Sequence, residues 1–359
     1  MWAMILKEFR QLRRDRRTLA MMIVMPVLLL VVLGYAASFD VKTISVVVVG
    51  PSASAAGGAL RAPFDVIASS AGQSRAWAQD QLRDGKAEMA VVTGGSKPLV
   101  LIDGSQLFAA RAALTALAGL EHGAGLAVAP QVIILYNPGL TTSAIMIPGL
   151  CGVVLVFVGT IITSLGVVRE RQSGTLEQLA VMPLRPRDVF LGKIVPYFVV
   201  AAVDLAIVLG IGIAIFGVPF RGSAAVFGLG ALLFLFVTLG IGVLISSVSQ
   251  NQGQAIQLAV MTLLPQVLLS GLIFPLASIA AGVRWIAYLL PLTYFNEISR
   301  GVMLRAEPIA ALWQPFVFLA LLGAVVVTGA TLRFRSYLAP AGRERGRKSI
   351  VVAAQGAGA

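Results

Sequence analysis

Residues 141–184 read TTSAIMIPGLCGVVLVFVGTIITSLGVVRERQSGTLEQLAVMPL. From Thr141 to Val168 there is no charged residue. A helix rises about 1.5 Å per residue, and about 20 apolar residues cross a hydrocarbon core of roughly 30 Å, so this run is long enough to span a membrane. It ends abruptly in Arg169-Glu170-Arg171. Gly174 then permits a sharp turn. Thr175 can cap a short helix, with Gln178 at the capping-box spacing. Leu176, Leu179 and Ala180 fall on one apolar face, and Pro183 and Pro186 stop the helix. The pattern is a span followed, over 169–184, by a short amphipathic helix lying across its charged end. Such a helix is either a docking surface or a connector that lies in the interface without a partner.

Comparable apolar runs lie on both sides. They are Thr18–Phe39, Ile194–Phe220 (broken only by Asp204), Gly222–Val248 and Ile309–Leu332. A further run starts near Ala255 and continues past Pro265 and Pro275 to Val283. Six spans are expected, at 18–39 and within 141–332. The first follows a basic stretch, as a signal peptide does, but signal h-regions are only about 7–15 residues, so it reads as a retained anchor. Composition agrees. The 359 residues are 58% hydrophobic and 12% charged, with a mean hydropathy of +0.89. Soluble chains run about 25% charged, and half that leaves too little polar surface for a particle of this size. A soluble enzyme and a disordered chain are both excluded. One Cys and one His exclude a disulfide framework and a Cys/His metal cluster.

The net charge of +12 would suggest nucleic acid in a soluble protein. Here its placement says otherwise. Seventeen of the 28 basic residues lie before the first span, in the loop after the second, and in the tail 333–359. These segments carry only six acids, leaving +11 on one side, which the positive-inside rule makes cytoplasmic. Both termini are therefore expected in the cytoplasm, and no nucleic-acid partner is expected.

The stretch 40–140 carries seven basic and seven acidic residues and is expected outside. Thr43–Val49 is a β-branched run closed by Gly50-Pro51 and reads as a strand. Met89–Thr93, Leu99–Ile102 and Val132–Tyr136 read as strands too, and Trp77–Asp84 and Gln106–Leu120 as helices. The alternation predicts a small α/β domain. No catalytic or metal constellation stands out in it, and His122 reads as a surface residue.

At 1–17, Trp2, Ile5, Leu6, Phe9 and Leu12 recur at helical spacing, while Lys7, Arg10 and Arg14 fall mostly elsewhere. With Arg13 on its flank, this reads as an amphipathic helix in the membrane interface. A solvated basic leader is the plainer alternative. Pro265, Gly271, Pro275, Gly282 and Pro291 punctuate the fifth run. Irregular backbone at membrane depth survives only where protein or a water-filled cavity covers it. The reading is a span followed by a re-entrant hairpin over about 273–293, against a simple kinked helix plus loop. Trp285, Tyr288 and Tyr294 suit an outer aromatic belt. Asp204 is the acid placed inside a span, where a carboxylate lines a path or bonds a polar neighbour. Glu297 and Arg300 read as a local pair, and Cys151 as a packing residue.

Arg169-Glu170-Arg171, Gly174-Thr175, Glu177-Gln178-Leu179 and Pro183-Leu184 closely resemble the signature of ABC-2 type transporter permeases, the membrane subunits of ATP-binding cassette exporters. Gln172, after Arg171, departs slightly from the family's third charged position. The resemblance covers the whole chain, and the large domain after the first span matches the drug-exporter-like branch. It implies an α-helical polytopic membrane protein with six transmembrane helices, an N-terminal interfacial helix, a re-entrant hairpin and an inserted extracytoplasmic α/β domain. It also implies a permease of the bacterial inner membrane that exports an amphipathic, drug-like or lipid-like substrate.

No GxxxxGK[ST] loop is present, since Gly192-Lys193 is followed by Ile and the upstream Gly is missing. ATP and Mg would therefore be held by a separate ATP-binding subunit, with no cofactor on this chain. By the same resemblance, Arg169, Glu170, Arg171, Gly174, Thr175, Glu177, Leu179 and Pro183 contact that subunit. Trp2, Ile5, Phe9 and Arg13 form a second contact. Pro265, Gly271 and Pro275, at the breaks in the fifth run, are candidates for the substrate path or gate, and Asp204, from its place inside a span, is either a further path residue or a structural hydrogen-bonding group. A second permease chain, identical or a sister, completes the path, membrane lipid surrounds it, and a periplasmic adaptor is compatible. Two other classes stay in view. An ion-coupled carrier would want several buried ionisable groups and an internal repeat. A membrane-anchored sensor or scaffold would act through its outer domain.

Overall fold

The structure, a computed structural model, describes residues 41, 43–122, 129–173 and 186–338. The expected interfacial helix at 1–17, the first span at 18–39, most of the amphipathic helix at 169–184, and the tail beyond 338 lie outside these residues.

The first part is a five-stranded sheet with helices on both faces. Its elements are β1 (Ile44–Val49), α1 (Ala53–Ala59), β2 (Phe64–Ser70), α2 (Arg75–Arg83), β3 (Met89–Val92), β4 (Leu99–Asp103), α3 (Leu107–His122) and β5 (Gln131–Leu135). The strand order is β2-β1-β3-β4-β5. Every neighbouring pair is parallel except β3–β4, an antiparallel hairpin that sets Met89 against Ile102 and Val92 against Leu99. Alternation along the strands sorts side chains between two cores. Ile44, Val46, Val48, Met89 and Ile102 pack with Ala110, Ala113 and Leu117 of α3. Val47, Val49, Ala90 and Leu101 pack with Ala78 and Leu82 of α2. Ser74 caps α2 by accepting from Trp77 N. The sequence reading missed α1 and β2. α1 contains Gly57-Gly58, and β2, an edge strand, ends in Ala-Ser-Ser, so both lack the apolar density of a core element.

The second part is a helix bundle. α4 (Thr142–Val156), a π-helical turn (Phe157–Ile162) and α5 (Thr163–Gln172) form one continuous rod. Then follow α6 (Pro186–Ala214), α7 (Ala224–Val248), α8 (Gln252–Leu269), a 3-10 turn (Leu276–Ser278), α9 (Ala281–Ala287), α10 (Pro291–Arg300), a second π turn (Gly301–Arg305) and α11 (Trp313–Leu338). Among the described residues, four helical stretches are long and apolar enough to cross a membrane: Thr142–Arg169, Tyr197–Ala214, Ala224–Val248 and Trp313–Ala330. The molecule is a helical membrane protein.

α7 lies at the centre, against α11, α10 and the whole α4–α5 rod. Phe234 of α7 stacks on Phe295 of α10, with ring centroids 4.6 Å apart. Lipid is as apolar as leucine, so close backbone approach and hydrogen bonds hold such helices together. A side chain at Gly242 of α7 would meet the carbonyl oxygens of Gly159 and Thr160 in the π turn. There Thr160 Oγ1 donates across to the Thr238 carbonyl, at 3.4 Å. Along α7, Thr238 and Ser246 donate to carbonyls one turn back, at 3.0 and 2.6 Å.

Pro265 lies inside α8, so the helix continues through it. The break comes at Ser270 and Gly271, whose φ of +81° glycine adopts without strain. Tyr294 is not part of an exposed belt. It is buried, stacks on Phe318 and donates its hydroxyl to the Tyr288 carbonyl at 2.6 Å, whereas Trp285 and Tyr288 are exposed.

Candidate functional site

The contacts divide the bundle into two ends. At one end sits the sheet. Asn137, just after β5, donates to the Gly104 carbonyl (3.3 Å), and its Oδ1 accepts from Thr141 N (3.1 Å) at the start of α4. The α6–α7 connection reaches the same end, where Arg221 N donates to the Met303 carbonyl at 3.0 Å. At the other end, α5 finishes beside the α7–α8 turn, and Gln252 Nε2 donates to Gln172 Oε1 at 3.1 Å. Asn251 caps α8 by accepting from Gln254 N, and the Gln254 side chain accepts from Gln250 N, each at 2.9 Å.

Arg169, Glu170 and Arg171 lie in the last turn of α5, at the end opposite the sheet, and Arg169 is exposed. Gly174, Thr175, Glu177, Leu179 and Pro183 fall outside the described residues, as do Trp2, Ile5, Phe9 and Arg13. Asp204 is half-buried on α6 and has no hydrogen bond or ion pair among the described residues. It lies on α6, whereas Pro265, Gly271 and Pro275 follow one another through α8 and the break after it.

That break is lined with buried polar groups. Asn296 Nδ2 donates to the Ser270 carbonyl and hydroxyl, at 3.2 and 3.0 Å. Arg300 does not pair with Glu297. Its Nη2 donates instead to the Gly271 and Leu272 carbonyls, at 3.0 and 3.4 Å, because those carbonyls are freed where α8 ends. Gln266 is fully buried with neither end of its amide bonded, and Asn296 Oδ1 and Arg300 Nε are also unpaired. Separately, an apolar cavity of about 270 Å³ lies between α4, α6 and α7, lined by Leu155, Phe198, Leu205, Leu209, Phe227 and Leu235. It suits a hydrocarbon or aromatic group and offers no polar partner to fix one.

The group that the sequence reading missed joins the two parts of the molecule. Arg305 ends the second π turn and is buried. Its Nη1 lies 3.5 Å from Asp103 Oδ2 and donates to Ser105 Oγ at 3.2 Å, and its Nη2 lies 2.8 Å from Glu307 Oε1. Both carboxylates are buried as well. Burial raises the pKa of Asp103, opposed chiefly by Arg305. Burial also pushes Glu307 up to about 7, against the pull of Arg305. The signal was faint, a lone Arg and Glu flanking Ala306 some 200 positions from Asp103. Among the described residues, no group of three or more His, Cys, Asp or Glu side chains converges on a metal-sized space.

The fold defines a polytopic helical membrane protein carrying a sheet domain at one end of its bundle. Residues 16–332 match the family described as ABC-2 family transporter protein, and the chain belongs to that family of transporter permeases. It is 33% identical over 200 residues to "Probable multidrug ABC transporter permease YbhR" of Escherichia coli, covering 56% of this chain and 54% of that one. It is 33% identical over 177 residues to "Inner membrane transport permease YhhJ" of Escherichia coli, covering 49% and 47%. The match to "ABC transporter G family member 20" of Dictyostelium discoideum is 28% over 169 residues, covering 47% and 23%. The chain spans about half the length of the Escherichia coli relatives it matches.

Proposed function

We propose that this chain is the membrane subunit of an ATP-driven exporter of the bacterial inner membrane, moving an amphipathic, drug-like or lipid-like substrate outward. The carrying observation is the opposition of the two ends. The sheet docks at one end of the bundle, and Arg169 and Gln172 leave from the other beside the α7–α8 turn. That is the arrangement a permease needs if its ATP-binding partner meets the segment 169–184 and its outer domain faces away. The charge bias supports the same orientation, with both termini and the 169–184 loop cytoplasmic and the sheet outside. Names of relatives that include multidrug and inner-membrane transport support the substrate class and the location.

In this reading the chain has six spans, the first at 18–39 after an interfacial helix at 1–17. The segment 273–293, with α9 and the 3-10 turn, is the re-entrant element of the outer gate. ATP and Mg bind to the partner subunit, and a second permease chain completes the translocation path.

Glu170, Gly174, Thr175, Glu177 and Leu179 would carry the contact through which closure of the ATPase moves the α4–α5 rod. The test is reconstitution of the chain with its co-purifying ATPase. In the wild type, ATP should drive export of a lipophilic fluorescent dye. Glu177→Lys and Gly174→Pro should leave insertion and ATP hydrolysis in place and abolish export. Unimpaired export in both variants, or a chain that purifies without any ATPase and exports on an ion gradient alone, overturns the proposal.

A further inference from the structure

Three charges share the buried junction between the sheet and the bundle. Asp103 follows Leu101 by two residues on β4, so alternation aims it at the α2 face of the sheet. The turn after α2 closes over the same spot: a Cβ at Gly85 would touch the Arg305 guanidinium and the Glu307 carboxylate, at 3.3 and 3.5 Å. Glu307 is held from the other side, where its N–H donates to the Gly301 carbonyl at 3.0 Å. Two carboxylates on one guanidinium leave an unbalanced negative charge when both are ionised, in a place that water does not reach.

We infer that the Asp103–Arg305–Glu307 cluster is a proton-operated latch, in which a proton on Glu307 closes the sheet domain onto the bundle and its loss loosens the junction. The neutral acid leaves Asp103 and Arg305 as a balanced pair. The ionised acid adds a second buried anion, and among the described residues no second cation lies in ion-pair contact with it. Among the described residues, Arg305 is the cation in ion-pair contact with these carboxylates.

The surrounding charges do not supply another. On the α2 side, Arg83 and Lys86 both pair with Asp84, at 3.2 and 3.5 Å. Just before β3, the Glu88 carboxylate accepts from Ser45 N at 3.0 Å. From α10, Glu297 adds a further negative charge, while Arg300 lies close enough to repel Arg305 but commits its guanidinium to the Gly271 and Leu272 carbonyls. From the β5 side Tyr136 contributes a phenol pushed up to about 12, chiefly by burial. Arg221 meets the π turn through its backbone, with its side chain at an exposed position.

The sign follows from linkage. In the closed junction Glu307 holds its proton up to about pH 7, whereas in an open one it returns to an ordinary carboxylate near 4.5. Closure is therefore strongest below pH 4.5, weakens as pH rises toward 7, and changes no further above it. Asp103 is raised too, so it adds in the same direction.

The test uses the full chain in lipid nanodiscs, where both faces meet one buffer, so its outcome does not depend on which side the domain faces in the cell. Spin labels at exposed Arg75 and Gln314 report the distance between the sheet and α11. A short distance should dominate at pH 4.5. A longer, broader population should then grow by up to about tenfold per pH unit before levelling off near pH 7. Glu307→Gln should keep the short distance dominant and leave only the weaker pH dependence that Asp103 contributes. Asp103→Asn removes one of the two negative charges and should move the transition to lower pH. A wild-type profile that is flat from pH 4.5 to 8.5, or Glu307→Gln and Asp103→Asn profiles that match the wild type, overturns the latch.

Discussion

In the sheet domain, Ile44, Val48, Met89 and Ile102 fill the space between β-strands and α3, and each would otherwise face water. In the bundle, Gly242 brings α7 against the carbonyls of Gly159 and Thr160, with Thr160 and Thr238 bonded beside it. The contrast follows from the solvent. Water drives large side chains inward at about 25 cal/mol per Å², but lipid offers them nearly the same environment outside as inside. Leu229, Phe236, Leu321 and Val325 accordingly stand exposed on the bundle, facing the solvent they suit. Size does the packing in one region, and its absence does the packing in the other.

Removing what joins the regions should do the most harm. Arg305→Ala strands two buried carboxylates and should cost about 3–5 kcal/mol, read as a lowered unfolding midpoint with the sheet domain released early. A midpoint within a degree of wild type would mean that the two regions stand independently. Next comes the sheet's own rule. Ile102→Ala opens a cavity in a fully buried site and should cost about 2–5 kcal/mol by denaturant titration. The bundle's rule is the reverse. Gly242→Val should cost about 1–3 kcal/mol by forcing α7 off the π turn. Gly228→Ala, with nothing near it, should stay within about 0.5 kcal/mol in the same thermal assay. Equal effects at the two glycines would break the comparison.

The same contrast decides what could be read in advance. β1 and β4 were legible because Val-Val-Val-Val and Leu-Val-Leu-Ile are bounded by turn residues. The helices at 142–169 and 224–248 were legible from length and apolarity alone. α1 and β2 were not, since Ala-Ser-Ala-Ala-Gly-Gly-Ala carries no periodic signal. Nor could the sequence choose between Pro265 and Gly271 as the point where α8 ends. A proline removes one hydrogen bond and can be carried inside a helix, whereas a positive φ ends it. The Arg305 junction was least legible. Its members are ordinary isolated charges until the fold sets residues 200 positions apart in contact.

The single antiparallel pairing in the sheet has a mechanical consequence. Because β3 and β4 run opposite ways, the start of β1 and the end of β5 lie along one edge of the sheet. The chain thus enters and leaves the domain along a common line, about which the domain would swing like a door. Arg305 grips it at Asp103 on that edge and, off the line, at the Gly85 turn on the α2 face. A bolt set off that line fixes the domain's orientation about it, and such a bolt can be withdrawn without cutting the chain.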